Sequence, residues 1–353
     1  VSASVAADLR VLLDGTPLLG NRTGIGRYTA SLVTALTSLA DVRLIGFTTR
    51  GWRQLREVAP PGTRAVGPPI PARALRKLWQ RGAFPPVELL AGRADVVHGT
   101  NFVLPPPARA AGVVTVHDLA FLDDPSLAEP DLPALVRSSV RRAEVVCTPT
   151  AAVADAVSTR LDVPREKLAV TPLGVDPEWF SAVPMDSELR ARYGLPAEYL
   201  LFVGAEGPRK GLPGLLEAHG PDLPPLVIAG PGEPRVDGAV IRTGYLPEDH
   251  LRRLVAGASA LVLPSRDEGF GLPALEALAC GTPVVCSDIP ALREVTAGCA
   301  IRFPFGDASA LREALHRALT DPPDPETGTT QAKTFTWQAC AEATLTAYRM
   351  ATG

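Results

Sequence analysis

A chain of 353 residues is longer than one typical core, so two domains of comparable size are the default expectation. Hydrophobic residues make up 46% and charged residues 21%, as in globular proteins, and the apolar runs fall short of the roughly 18 residues a membrane span needs. A formal net charge of -3 argues against a nucleic-acid binder, which would carry a basic excess.

Along the chain, the N-terminal VSASVAADLR lacks the basic region and sustained apolar core of a secretory signal, and it is expected to fray. A first strand is predicted at Leu9 to Leu13. The turn GNRTGIGRYT (Gly20 to Thr29) then opens a helix running to Leu39. Its spacing is not the dinucleotide G-x-G-x-x-G, so Gly24, Gly26 and Arg27 read as a close backbone approach to a ligand rather than as NAD binding. Further strands are predicted at Val42 to Phe47, Asp95 to His98, Val113 to Val116, Glu144 to Thr148 and Leu168 to Thr171. Helical spacing covers Arg73 to Leu90, Pro133 to Arg142 and Ala151 to Leu161.

The stretch PARALRKLWQRGAF, residues 71–84, places Arg73, Arg76, Lys77 and Arg81 beside Leu75, Leu78 and Trp79. Such a basic amphipathic helix could rest weakly on an anionic membrane. An ordinary helix with its apolar side on the first domain is favoured, because one helix of this kind anchors poorly. In VVTVHDLAF, His117 and Asp118 fall at the C-terminal end of a strand, where ligands reach an open sheet; a His-Asp pair capping the next segment is the competing reading.

After a broken stretch from Asp176 to Pro196 the strand-helix pattern restarts, with strands at Tyr199 to Val203, Pro225 to Ala229, Val240 to Thr243, Ala260 to Leu263, Pro283 to Cys286 and Ala300 to Phe303. LFVGAEGPRKG sets Arg209 and Lys210 after a turn holding Gly204 and Gly207, which would suit a diphosphate or form an exposed basic pair. In SRDEGFGLPALEALACGTPVV, Pro273 suits a first helical turn and Gly281 the residue past the last, with Glu268 and Glu276 flanking the glycine-rich turn. A phosphate could meet that helix N-terminus; solvated surface glutamates are the alternative. DPPDPETGTT closes the second domain, and in FTWQACAEATLTAYRM one helical face carries Trp337, Ala341, Leu345 and Tyr348, so this terminal helix needs a partner.

The expected architecture is α/β: two doubly wound, parallel-sheet Rossmann-like domains, residues 1–178 and 179–335, facing each other across a ligand-holding cleft, with helix 336–353 crossing back to the first. Cys147, Cys280, Cys286, Cys299 and Cys340 lack Cys-x-x-Cys spacing and read as buried thiols rather than disulfides or zinc ligands. The absence of a P-loop, a G-x-S-x-G elbow or H-E-x-x-H weakens kinase and hydrolase readings.

SRDEGFGLPALEALACGTPVVCSDIPALREV resembles the E-x7-E region of retaining nucleotide-sugar glycosyltransferases of glycosyltransferase family 4, which have the GT-B fold. TGIGRYT, HGTNFVLPP, TVHDLAFLDDP, LAVTPLGVDPEWF, VGAEGPRKG, GYLPEDHL and FTWQACAEATLTAYR follow in the order of its mannosyltransferase-like members, so the resemblance spans nearly the whole chain. It implies that Glu276 accepts hydrogen bonds from the donor ribose and that Glu268 lies near the donor sugar. The N–H groups around Gly269, Phe270, Gly271 and Leu272 would meet sugar or phosphate, Arg209 and Lys210 beyond the Gly204 turn would bind the diphosphate, and Leu246 in GYLPEDHL would help frame the base. His117 would sit beside the anomeric centre with Asp118 next to it, and Gly24, Gly26, Arg27 and His98 would belong to acceptor or sugar-proximal loops. Many relatives carry Arg directly after the glycine of V-G, whereas this chain has Ala205 followed by the acidic Glu206.

The implied reaction moves a hexose, with retention, from a nucleoside-diphosphate sugar to a hydroxyl of a glycan, lipid-linked saccharide or natural product. No metal and no cofactor beyond the nucleotide-sugar co-substrate is implied, and no nucleic acid is a partner. Competing readings are a GT-B nucleotide-sugar epimerase, a phosphorylase, weakened by the scarcity of lysine for pyridoxal phosphate, and a non-catalytic nucleotide-sugar binding protein. The expected location is cytoplasmic, and residues 71–84 are the segment that could make a weak peripheral contact with the inner membrane face.

Overall fold

The computed structural model describes residues 9–20, 24–50 and 52–353, without the side chain of Arg81. The expected fraying of residues 1–8, and Asn21, Arg22 and Thr23 of the first glycine-rich turn, lie outside the described residues. The chain divides into two compact units: Val1–Gly174 with Thr336–Gly353, and Val175–Phe335.

The first unit contains β1 (Arg10–Asp14), α1 (Gly24–Leu36), β2 (Asp41–Ile45), α2 (Trp52–Val58), β3 (Arg64–Val66), α3 (Ala72–Arg81), α4 (Glu88–Ala91), β4 (Val96–Gly99), β5 (Ala111–Thr115), α5 (Leu132–Arg142), β6 (Val145–Thr148), α6 (Ala151–Leu161) and β7 (Leu168–Val170). Its seven strands are parallel, in the order β3-β2-β1-β4-β5-β6-β7. Strands β4 and β6 are buried along their whole length, which is why they read as apolar runs rather than as alternations. Helix α6 starts at Thr150, whose side chain accepts from the Val153 N–H and satisfies one of the free donors of the first turn.

The second unit contains α7 (Ser187–Arg192), β8 (Leu200–Val203), α8 (Leu212–Ala218), β9 (Leu226–Ala229), β10 (Arg235–Asp237), β11 (Val240–Gly244), α9 (Glu248–Ala256), β12 (Ala260–Leu263), α10 (Leu272–Ala279), β13 (Val284–Ser287), α11 (Pro290–Thr296), β14 (Ile301–Phe303), α12 (Ala308–Thr320) and α13 (Pro325–Lys333). Its sheet order is β10-β11-β9-β8-β12-β13-β14. The chain then returns to the first unit as α14 (Trp337–Thr352), which packs on α1 and over β5 and β6, burying Ala341, Leu345 and Tyr348 and half-burying Trp337. Two α/β sheets, with the last helix back on the first, are the fold expected from the sequence.

Three details differ. Strands β3 and β10 have no counterpart among the predicted strands: each is a three-residue edge strand with little burial, so neither leaves an apolar pattern. Strand β10 also runs antiparallel to β11, so the second sheet is not wholly parallel. The helix predicted from Arg73 to Leu90 breaks into α3 and α4, because Gly82 closes the first and Pro85 and Pro86 cannot supply helical N–H groups. Among the described residues no helix is long and apolar enough to cross a membrane.

Candidate active site

In an open α/β sheet, ligands bind beyond the carboxyl ends of the strands where the order reverses. The second sheet reverses between β8 and β12. The chain leaving β8 passes Gly204 to the turn of Pro208–Lys210, and the chain leaving β12 runs through Ser265–Gly271. Gly211 allows the two loops to meet: its backbone is left-handed (φ +67°), and a Cβ there would lie 1.8 Å from the Pro264 carbonyl oxygen. The Arg266 N–H donates to the Arg209 carbonyl at 2.8 Å and locks this approach.

Lys210 Nζ consequently reaches Glu268 Oε1 at 2.7 Å, and Ser265 Oγ donates to the same oxygen at 2.6 Å. Glu268 is 8% exposed. Burial opposes its charge, but the cations Lys210 and Arg209 and the two hydrogen bonds outweigh it and hold the carboxyl below its usual range. The Arg209 guanidinium donates to the Asp267 carbonyl at 3.3 Å. Sequence reasoning passed over Ser265, which lay inside the quoted loop without a signal of its own. Glu206, whose charge made the turn doubtful, is taken up by Arg242 at 2.6 Å.

The N-cap of helix α10 is Gly271 (φ +91°), which has no side chain to cap the first turn. Glu276, on that helix, is 2% exposed rather than a solvated surface charge. Phe270 is buried edge-on to Phe335 at 5.6 Å. Leu246 is half-buried between β11 and α9, beside the exposed Tyr245.

The remaining expected residues lie in the first unit. His117 follows β5, with Tyr28 at 4.9 Å and Phe102 at 5.6 Å, both edge-on. Its Nε2–H donates to the Thr100 carbonyl at 2.9 Å, which leaves Nδ1 as the acceptor. Burial lowers its pKa and keeps the ring neutral, although that bond and Asp118 push the other way. Asp118 accepts from the Ala120 N–H at 3.1 Å, so its carboxylate organises the following turn. Gly24 is exposed at the start of α1, Gly26 is buried and Arg27 half-buried.

His98 departs from expectation. It is fully buried, with Nδ1 2.7 Å from the Tyr348 hydroxyl and Nε2 2.8 Å from Thr115 Oγ1, which in turn lies 3.0 Å from the Tyr28 hydroxyl. Both nitrogens are engaged inside the protein, so His98 ties α14 to the sheet instead of lining a sugar-proximal loop. The five cysteines are free, and Cys147, Cys280, Cys286 and Cys340 are each pushed up to about 12, chiefly by burial. Such thiols are inert.

The sequence matches a glycosyl transferase 4-like domain over residues 23–174 and the glycosyl transferases group 1 family over residues 197–321. It is 30% identical over 284 residues to the O-antigen chain mannosyltransferase B of Escherichia coli, the match taking in 72% of this chain and 74% of the relative. Sucrose-phosphate synthase from Thermosynechococcus elongatus has a similar fold: TM-score 0.73 and 22% identity, covering 96% of this chain and 98% of that one. So does HepE of Anabaena, solved in complex with UDP-glucose: TM-score 0.67 and 16% identity, covering 95% of this chain and 98% of that one. Matched over both units, and carrying buried polar groups where its second sheet reverses, the chain belongs to the group 1 glycosyltransferases.

Proposed function

We propose that this glycosyltransferase is a retaining hexosyltransferase whose second unit, residues 179–335 with the short segment before it, binds a nucleoside-diphosphate hexose. The observation that carries the reading is the meeting of Arg209, Lys210 and Glu268 at the reversal of the second sheet. Lys210 has three N–H donors, so it can keep Glu268 and still give hydrogen bonds to phosphate oxygens. Among the described residues, the bonds from Lys210 and Ser265 to Glu268 both land on Oε1, so Oε2 can accept from a donor-sugar hydroxyl. Glu276 takes the ribose hydroxyls, and Leu246 borders the base.

Transfer breaks the bond from the anomeric carbon to phosphate oxygen while the acceptor oxygen bonds the same face. The electron pair stays on the departing diphosphate, whose oxygen takes the acceptor proton. Arg209, Lys210 and the N-terminus of α10 meet the growing negative charge, which is differential stabilisation of the transition state. In this scheme they do the work a metal would otherwise do. His117, neutral and bordered by aromatic rings, is assigned to the reacting sugar, with Nδ1 as its acceptor. The glutamates act as binding groups and not as the acid and nucleophile of a retaining glycosidase.

The named activity of the Escherichia coli relative and the UDP-glucose bound by the Anabaena protein support a nucleotide-hexose donor. A lipid-linked acceptor is a narrower reading, drawn from the exposed Leu78, Phe84 and Leu89 near Arg73 and Lys77. The direct experiment presents a panel of nucleotide hexoses and follows the released or transferred sugar by proton NMR. One donor should be bound, slowly hydrolysed without acceptor, and yield the anomer of the donor configuration first. Inversion would overturn retention, and binding without turnover would favour a non-catalytic module.

A further inference from the structure

Thr115 ends β5 and His117 stands two residues further on, where an extended chain brings side chains back to the same face. That spacing sets the Thr115 hydroxyl and the His117 ring against one neighbour, Tyr28 of α1. The Tyr28 hydroxyl lies 3.0 Å from Thr115 Oγ1, and its ring meets the His117 imidazole edge-on at 4.9 Å. The main chain of the same threonine holds a second ring. The Thr115 carbonyl accepts the Phe102 N–H at 3.0 Å, and Phe102 stands edge-on to His117 at 5.6 Å. Phe102 has φ +61°, a conformation that a non-glycine residue keeps only where its surroundings hold it, and this bond is one of the restraints.

Thr115 is fixed in turn. Its Oγ1 lies 2.8 Å from His98 Nε2, and His98 Nδ1 lies 2.7 Å from the Tyr348 hydroxyl on α14. Tyr28, His98, Thr115 and Tyr348 are each at most 1% exposed, so bulk water does not compete for these bonds. Burial pushes both phenols well above their ordinary value and keeps His98 neutral. Each hydroxyl then brings one proton and the neutral ring one N–H, enough to make every link from Tyr28 to Tyr348.

This chain of bonds has a consequence for His117. Its Nε2–H donates to the Thr100 carbonyl, which selects the tautomer, but a ring held by one hydrogen bond can still swing about it. The two aromatic rings remove that freedom, and both are hung on Thr115.

We propose that Thr115 is the positioning residue for His117, orienting it through Tyr28 and Phe102, and that α14 holds this arrangement through Tyr348 and His98. The effect on catalysis rests on the transfer reading given above.

Imidazole proton–nitrogen NMR of the whole chain tests it, with the His117 signals identified by their loss in His117→Gln. The wild type should show one neutral His117 tautomer, protonated at Nε2. Thr115→Val keeps the carbonyl and nearly the same shape but removes the hydroxyl, and it should give a mixture of tautomers; Thr115→Ser should restore the single pattern. Tyr28→Phe and Tyr348→Phe, each losing one hydroxyl, should shift the pattern in the same direction and decide the matter if the valine variant fails to fold. The second readout is slow hydrolysis of UDP-glucose and GDP-mannose without acceptor. Because small misplacement of a catalytic group is costly, kcat in Thr115→Val should fall about 10- to 100-fold while the donor KM stays within about twofold. Lower melting temperatures with both readouts unchanged in the folded variants would show a purely structural role and overturn the proposal. An unchanged His117 pattern overturns it without any donor, and spares the place of His117 in the transfer reading. A changed pattern with undiminished hydrolysis leaves the positioning standing and sinks the catalytic role of His117.

Discussion

Glu268 and Glu276 share one sequence motif but sit in different surroundings. Glu268 is buried yet kept ionised by Lys210 and Ser265, and Glu276 is enclosed on a helix with hardly any exposed face. In the donor reading, Glu276→Ala removes an ionised acceptor from two ribose hydroxyls, a loss of roughly 1.5 to 3 kcal/mol, which is a 10- to 150-fold fall in nucleotide-sugar affinity. Calorimetry decides, and unchanged affinity removes the assignment. His117 should behave oppositely. In the proposed mechanism its neutral ring serves the reacting centre, so His117→Ala should lower turnover far more than donor affinity. A variant that keeps full transfer activity would refute the role. The motif singled out Glu268, Glu276 and His117, whereas Ser265 and Thr100 became visible only as hydrogen-bond partners. A serine in a loop leaves no periodicity.

At the level of elements, α14 and α3 show two outcomes of one reading. The apolar face of α14 called for a partner, and there Tyr348 meets His98, which in turn bonds Thr115 of β5, itself bonded to Tyr28 of α1. Burial, with a smaller push from His117, lowers His98 to about 3. The folded chain therefore keeps this ring neutral, while the unfolded chain protonates it near the ordinary value of about 6.5. Stability must fall as pH drops from that value toward 3, at about 1.4 kcal/mol per pH unit for this one group. Urea midpoints between pH 7 and pH 5 should show this loss, and His98→Gln should show a shallower one; equal slopes would contradict it. Helix α3 buries Leu75 and Trp79 as an ordinary packed helix does, and its Arg76 is spent on Glu129. Leu78, Arg73 and Lys77 remain exposed, with Phe84 beyond the helix end. Each exposed basic residue near an anionic surface contributes about 1 kcal/mol, so any vesicle binding should be weak and fade with salt. Co-sedimentation at low ionic strength is the check, and no association there leaves a soluble acceptor as the better reading.

For the whole molecule, the decisive feature is that the first unit is discontinuous: residues up to Gly174 are completed by Thr336–Gly353. Deleting α14 strips the cover from α1 and leaves His98 without Tyr348. At roughly 1.5 to 3 kcal/mol for each large apolar side chain returned to water, the loss of Leu345 and Tyr348 burial alone takes several kcal/mol from this unit. A chain ending at Phe335 should melt in two calorimetric steps, the first unit lower than in the full chain and the second near its original temperature. A single unshifted transition would contradict this division.

The sequence by itself determined the two α/β sheets and the terminal helix. Buried parallel strands must be apolar runs, and glycines must stand where backbones meet, as at Gly211 and Gly271. Tertiary structure alone decided what the loops bring together. Glu206 is quenched by an arginine two strands away in the sheet, His98 is turned inward, and Asp14 and Asn101, 87 positions apart by their numbering (101 − 14), share one cavity. Contacts of that kind join elements close in space but distant along the chain, and no local pattern of residues records them.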